Sequence, residues 1–302
     1  MRLLCAFAWR KHFKTKKMNK LRIAIQKSGR LSEKSLKLLD DCGISISNGN
    51  RTLLASGKNF PVEILYLRDD DIPGYLEDGV ADVGILGENV VLEKGNELDL
   101  ISRLGFARCR MSLAIPRNEE YPGPGYLQGK RIATTYPRIL QNFLEEKNIQ
   151  ADIHEILGSV EIAPSIGLSG AIFDIVSTGS TLLSNGLKEV EVVLKSEAVL
   201  VSRRGLEAEK QEILDKLVFR LNSVMKARTN RYVLLNAPND SLDKIISIIP
   251  GMKSPTIVPL AEEGWSAVHS VISEDRFWEV IDELKDAGAQ GLLVIPIEKM
   301  VS

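Results

Sequence analysis

The chain has 302 residues, 44% hydrophobic and 26% charged, which is room for two or three globular domains with cores of their own. A formal net charge of −1 gives no electrostatic footing for nucleic acid, and the short apolar run near the start is far too short to span a bilayer. Three scattered cysteines, Cys5, Cys42 and Cys109, lack CxxC spacing; they suit a reducing cytoplasm and argue against a zinc site.

Residues 1–17 carry Arg2, Arg10, Lys11, Lys14, Lys16 and Lys17 and no acid, so the remainder holds 39 − 6 = 33 basic against 40 acidic residues, or −7. Any cationic patch must then be local. Most of the segment's positive charge follows its apolar run, and Met18 directly precedes the first good strand, so it is expected to be a disordered basic extension or an upstream start. His154-Glu155 opens like a metalloprotease helix but has no second histidine four residues on.

Leu21 to Ile25 reads as a strand, and Gln26-Lys27-Ser28-Gly29-Arg30 turns into a helix with apolar residues at Leu31, Leu38, Leu39 and Cys42, stopped by Gly43. Lys27 and Arg30 therefore sit in a strand-to-helix turn, where α/β proteins bind ligands, or are two solvated surface charges. Val62 to Leu67 is the next strand. Arg68-Asp69-Asp70-Asp71-Ile72-Pro73 follows it, and the acids there read as helix caps. Ala81 to Leu86 is a third strand, with Gly87-Glu88-Asn89 turning into a helix. Three strand ends thus point their turns toward one edge.

From Phe106 to Ile115 apolar residues alternate with Arg108, Arg110 and Ser112, the pattern of a half-buried strand. The loop signal Tyr121-Pro122-Gly123-Pro124-Gly125 places a lobe boundary after residue 116. The second lobe then reads strand (130 to 135), helix (Leu140, Phe143, Leu144), strand (153 to 157) and a short helical stretch opened by Gly158-Ser159-Val160-Glu161.

The most informative stretch is Ile172-Phe173-Asp174-Ile175-Val176-Ser177-Thr178-Gly179-Ser180-Thr181, a buried strand breaking into a hydroxyl-and-glycine loop and then a helix. Ser177, Thr178, Ser180 and Thr181 supply hydroxyl donors, Gly179 lets backbone N–H groups close on an anion, and the helix dipole adds positive potential. A phosphate suits that loop. Asp174 lies among apolar neighbours, where a carboxylate is costly unless it is paired, metal-bound or hydrogen-bonded to a ligand. The other reading is a polar turn beside an exposed aspartate.

Strands at 190–194 and 198–201 return the chain to the first lobe, and an amphipathic helix covers 207–227. The rest reads βαββαβ, a split ferredoxin-like module. The expected division is lobe I over 18–116 and 196–228, lobe II over 117–195, and the ferredoxin-like module over 229–302, with a ligand cleft between the lobes.

Ten ordered stretches carry a resemblance from about Asn19 to Ser302: LRIAIQKSGRL, RDDDIPG, DVGILGEN, CRMSLAIP, GKRIATTYP, GSVEIAP, DIVSTGSTL, NGLKEVEV, SPTIVPLA and VIPIEKM. Together they resemble the long-form ATP phosphoribosyltransferase family, the first enzyme of histidine biosynthesis. The resemblance implies an α/β chain with a two-lobed, periplasmic-binding-protein-like (type II) catalytic region and a C-terminal ACT-like domain. It also implies Mg2+-dependent transfer of a phosphoribosyl group from phosphoribosyl pyrophosphate to N1 of ATP.

On that reading, residues 177–181 hold the 5′-phosphate of the sugar donor. Asp174 and Glu161 accept from its diol or hold the metal. Lys27, Arg30 and Arg51 stabilise the leaving charge. Arg68, Asp69, Asp70 and Asp71, with Gly87, Glu88 and Asn89, form the ATP wall. Ser254, Thr256, Val271 and Gly291 contact inhibitory L-histidine. Dimers assembling to hexamers and a cytoplasmic location are further expectations, with no nucleic-acid or membrane partner. A solute-binding protein, a nucleobase-salvage phosphoribosyltransferase and a non-catalytic regulatory subunit are the competing readings. The first is usually exported, and no convincing signal peptide is present; the second places two adjacent acids before the loop, where Ile175 follows Asp174 here.

Overall fold

The computed structural model describes residues 19–47, 53–95 and 97–301, so the N-terminal segment 1–17 and Arg51 lie outside the described residues. The first stretch runs β1 (Leu21–Gln26), α1 (Arg30–Asp41), β2 (Leu54–Ser56), β3 (Val62–Leu67), α2 (Ile72–Glu77), β4 (Val83–Gly87), α3 (Glu88–Lys94) and β5 (Leu98–Arg103). The second runs β6 (Cys109–Pro116), β7 (Arg131–Thr134), α4 (Pro137–Glu146), β8 (Asp152–Glu155), β9 (Ala171–Val176), α5 (Ser180–Ser184) and β10 (Leu187–Ser196). The chain then makes β11 (Ala198–Arg203) and the long helix α6 (Ala208–Arg228). Last come β12 (Asn230–Pro238), α7 (Leu242–Ile248), β13 (Thr256–Pro259), β14 (Trp265–Ser273), α8 (Glu274–Asp286) and β15 (Gln290–Pro296).

β1 and β4 are apolar on both sides because helices cover both faces of their sheet, as parallel pairing requires. The first sheet has the order β2-β3-β1-β4-β11-β5 and the second β10-β6-β9-β7-β8. The two orders share one pattern. Counting the parallel strands alone, each lobe's first lies between its second and third (β1 between β3 and β4, β7 between β8 and β9), and beyond the third comes an antiparallel strand supplied by a crossing of the chain: β11 beside β4, β6 beside β9. This is the two-lobed, periplasmic-binding-protein-like arrangement expected.

The lobe boundary differs from the expectation. β6 pairs with β9 and β10, so residues 109–116 belong to the second sheet, and the chain crosses between β5 and β6 rather than at the proline-glycine loop. That loop lies within the second lobe as a 3-10 turn over Pro124–Leu127. A turn signal is local and does not say which sheet the preceding strand joins. Nor is β6 half-buried: Met111 through Ile115 are inaccessible on both faces, and the Ser112 hydroxyl in their midst donates to Glu189 Oε1 at 2.7 Å.

α6 packs Ile213, Leu214, Leu217, Leu221 and Val224 onto the first sheet beside Leu38 and Leu39 of α1. Asp82 anchors this layer. Its buried carboxylate accepts from the Arg22 backbone N–H (2.9 Å), Lys210 Nζ (2.8 Å) and Arg203 Nε (3.2 Å), which meets the requirement that an interior charge be paired. The C-terminal module is an antiparallel sheet of order β13-β14-β12-β15 with α7 and α8 on one face, a ferredoxin-like fold. It is tied to the catalytic body by the Met300 N–H donating to the Ser223 carbonyl (3.0 Å) and by Arg231 Nη1 donating to the Arg228 carbonyl at the end of α6 (3.0 Å).

Candidate active site

Parallel register aligns the ends of β1, β3 and β4: Gln26 is opposite Leu67, and Ile25 opposite Ile85. Their following turns therefore open on one edge, as expected. The Lys27 N–H donates to the Leu67 carbonyl at 2.8 Å, which brings the Lys27 turn beside the Arg68 turn. Gly29 turns the chain at φ +93, and Arg30 begins α1. Both cations are exposed, and neither forms an ion pair among the described residues. Their charge is available to an anion.

The acids after β3 are not caps. Asp69, Asp70 and Asp71 form a 3-10 turn, and neither that turn nor α2 has a side-chain cap hydrogen bond. Asp69 instead turns inward, with a buried Oδ1 that has no hydrogen-bond partner among the described residues. Burial, and then the charge of Asp70, push its carboxyl up to about 6. Asp70 and Asp71 stay exposed.

At the third strand end, Glu88 pairs with Arg103 of β5. Asn89 is taken up by the hinge: its N–H donates to Ser196 Oγ, whose hydroxyl donates back to Asn89 Oδ1 at 2.9 Å. Asn89 thus joins the lobes rather than offering that oxygen to a ligand. Gly87 makes room for it, since a Cβ there would lie 2.4 Å from Asn89 Oδ1.

On the second lobe, β9 delivers Asp174 one turn before the hydroxyl loop. Burial holds the Asp174 carboxyl above the usual carboxylate range; the Ile175 N–H, donating at 2.7 Å, pulls it back, and the charge of Glu161 adds to the rise. Glu161 sits on the 3-10 turn Val160–Ile162, close enough for its charge to act on Asp174. Gly179 adopts φ +81, which folds the loop so that Thr178 Oγ1 and Ser180 Oγ lie 3.0 Å apart. Ser177, Thr178, Ser180 and Thr181 are all exposed. α5 is only five residues long, so its macrodipole is weak; the donors are the hydroxyls and the first-turn N–H groups that no helix satisfies internally.

The two walls face each other. Tyr136, before α4, is close enough to Asp174, Asp70 and Asp69 for burial and those charges to raise its hydroxyl pKa. A cleft of about 680 Å³ at the crossing strands is lined by both Glu88 and Ser177, together with Arg103, Arg108, Arg110 and Lys195. Sequence reasoning did not assign these four cations to the site. Arg108 and Arg110 were visible as the polar phase before and along β6, but their meaning depended on β6 being a crossing strand. Arg110 donates from Nη1 to the Ser177 carbonyl at 3.0 Å, which fixes the start of the loop.

The family model described as ATP phosphoribosyltransferase matches residues 68–223, and that of the HisG C-terminal domain matches 227–299. A protein named ATP phosphoribosyltransferase from Parabacteroides distasonis is 59% identical over 281 residues, covering 93% of this chain and 99% of its own. One of the same name from Bacteroides thetaiotaomicron is 57% identical with the same coverage. The chain belongs to the ATP phosphoribosyltransferase family. Among solved structures, a chain of the Thermotoga maritima ATP phosphoribosyl transferase (HisG:HisZ) complex superposes with a TM-score of 0.60 at 33% identity, over 68% of this chain and 98% of that one.

For an ATP phosphoribosyltransferase the acid content of the cleft bears on the metal. Among the described residues, no group of three or more His, Cys, Asp or Glu is placed to hold an ion. Glu161 and Asp174, near enough for the charge of one to act on the other, offer carboxylate oxygens of the kind a hard divalent ion takes one or two of beside substrate phosphates.

In the ATP phosphoribosyltransferase C-terminal module the four expected histidine contacts do not converge. Ser254 and Thr256 lie before and on edge strand β13, Val271 on β14, and Gly291 on the opposite edge strand β15. Strands spaced about 4.8 Å apart put the two edges roughly 14 Å apart. One small ligand on one copy of the chain reaches one edge or the other.

Proposed function

We propose that this chain transfers the phosphoribosyl group of phosphoribosyl pyrophosphate to N1 of ATP, giving 1-(5-phosphoribosyl)-ATP and pyrophosphate in the first step of histidine biosynthesis. The observation that carries the reading is the hydroxyl loop 177–181, which follows partly buried Asp174 and whose first residue lines a cleft together with Glu88 of the other lobe. The loop holds the 5′-phosphate by neutral donors. Asp174 and Glu161 accept from the ribose hydroxyls or share a divalent ion, Mg2+ in our reading. When bound, that ion neutralises charge on the departing pyrophosphate.

Lys27 and Arg30 act on the same charge from the opposing wall. The attacked carbon develops oxocarbenium character as pyrophosphate leaves with inversion, so preorganised cations matter more than a strong base. Arg51 is assigned to this work by family resemblance alone. The ATP wall comprises Arg68, Asp69, Asp70, Asp71, Gly87 and Glu88, with Asp69 offering an unpartnered acceptor oxygen. L-Histidine inhibition through the C-terminal module, a homo-oligomer of dimers to hexamers and a cytoplasmic location belong to the same reading. The uncovered sheet face, with exposed Tyr232, Leu293 and Ile295, favours assembly.

The test is pyrophosphate release on mixing the protein with phosphoribosyl pyrophosphate, ATP and Mg2+. Release that requires all three supports the reading. A binding protein or regulatory subunit would take up ligand without releasing pyrophosphate.

A further inference from the structure

α4 has no cap of its own: Tyr136, the residue before it, supplies no side-chain acceptor. The first N–H groups of any helix lack an intrahelical partner. Those of Arg138 and Ile139 donate instead to the two carboxylate oxygens of Glu93, at 2.9 and 3.0 Å. Glu93 lies on α3 in the first lobe, whereas α4 packs on the second sheet. An acid in the last turn of its own helix faces that helix's negative end, so the favourable field at Glu93 is the one from α4. Beside it, Gly95 ends α3 at φ +66, and the Arg138 guanidinium rests so close that a Cβ on Gly95 would lie 2.0 Å from Nη1.

We propose that Glu93 is a positioning residue, a latch that closes the two lobes on each other by capping α4 from the opposite wall. Charge-assisted hydrogen bonds to two adjacent N–H groups hold orientation as well as distance. The segment so fixed includes half-buried Tyr136, which feels the charge of Asp174 on one wall and of Asp70 and Asp69 on the other. The latch therefore sets the spacing at which a pair of substrates bridges the cleft. Without it, open forms are populated, and a ligand that needs both walls binds more weakly by the fraction of chains still closed.

The proposal needs only the two-walled cleft, whatever ligands fill it, so its first test uses no activity. Spin labels at the exposed positions Leu92→Cys on α3 and Gln141→Cys on α4, in the full chain with its native cysteines replaced, report the lobe-to-lobe distance by pulsed dipolar spectroscopy. One narrow distance is expected in the parent. Glu93→Ala should lengthen and broaden it, and Glu93→Gln, which keeps one carbonyl acceptor, should fall between. In steady state, KM for both substrates should rise together by about fivefold or more in Glu93→Ala. Affinity for inorganic phosphate, a ligand of the 177–181 loop alone, should not change. An unaltered distance distribution overturns the latch, and so does a lowered melting temperature with unaltered distances. If the alanine variant does not fold, a glutamine variant matching the parent in distance overturns it equally.

Discussion

Asn89 and Ser196 hold each other across the hinge: the Asn89 N–H donates to the serine hydroxyl at 3.1 Å, and that hydroxyl donates to Asn89 Oδ1 at 2.9 Å. Both residues are buried, and Ser196 is the last residue of β10 before the chain re-enters the first sheet. Ser196→Ala leaves a buried acceptor unsatisfied and should cost about 1–3 kcal/mol of stability. Urea denaturation checks this; an unchanged midpoint and slope would show that water replaces the hydroxyl.

The loop after β9 depends on Gly179 at φ +81. An L-residue there costs about 1–2 kcal/mol, so Gly179→Ala should weaken binding of the sugar donor by roughly tenfold. Calorimetric titration measures it. The fold should survive, because the glycine lies in an exposed loop whose Cβ position meets only Val176, at 3.9 Å.

Asp69 makes stability pH-dependent. Its carboxyl stands at about 6 in the folded chain against an ordinary 3.8, so between those values the folded state holds the extra proton. Stability from this group is fully present below about pH 4 and is lost as pH rises through 6. Asp69→Asn, which mimics the protonated acid, should therefore gain on the order of 2–3 kcal/mol over the parent at pH 8 and show little difference near pH 4. Denaturation curves across that range decide it. Equal stabilities at pH 8 would mean that Asp69 is solvated in solution.

Arg30 stands exposed at the start of α1 with no carboxylate paired to it among the described residues. Losing one preorganised charge-stabilising donor reduces turnover by about 10²–10³-fold. Arg30→Ala should show that loss with far less change in nucleotide affinity. Turnover within about twofold of the parent would remove Arg30 from the chemistry.

Much of the fold was legible because it is written in local patterns. The apolar runs of β1 and β4, the stripe on α6 and the βαββαβ tail each carry their own period, and the polar turns after β1, β3 and β4 share an edge once those strands are parallel. What was missed depends on pairing between distant segments. β6 looks half-buried until β9 and β10 flank it, and Arg108 and Arg110 look like surface charges until their segment is known to cross between lobes. Asp69 to Asp71 match a helix-start composition, yet the turn buries Asp69 instead. Glu93 has no sequence signature as a cap, because the helix it caps begins more than forty residues later.

Because both lobes repeat one strand order, each strand-end turn at the cleft has a counterpart opposite. The Lys27 turn matches the turn after β7, the Asp69 turn matches the one carrying Glu161, and the Glu88 helix start matches the hydroxyl loop. The cleft is in effect one blueprint used twice and turned upon itself, with hydroxyls beside two acids written into one half and exposed cations beside acids into the other. Mutation can then retune the grip on one reactant while leaving the scaffold that receives its counterpart intact.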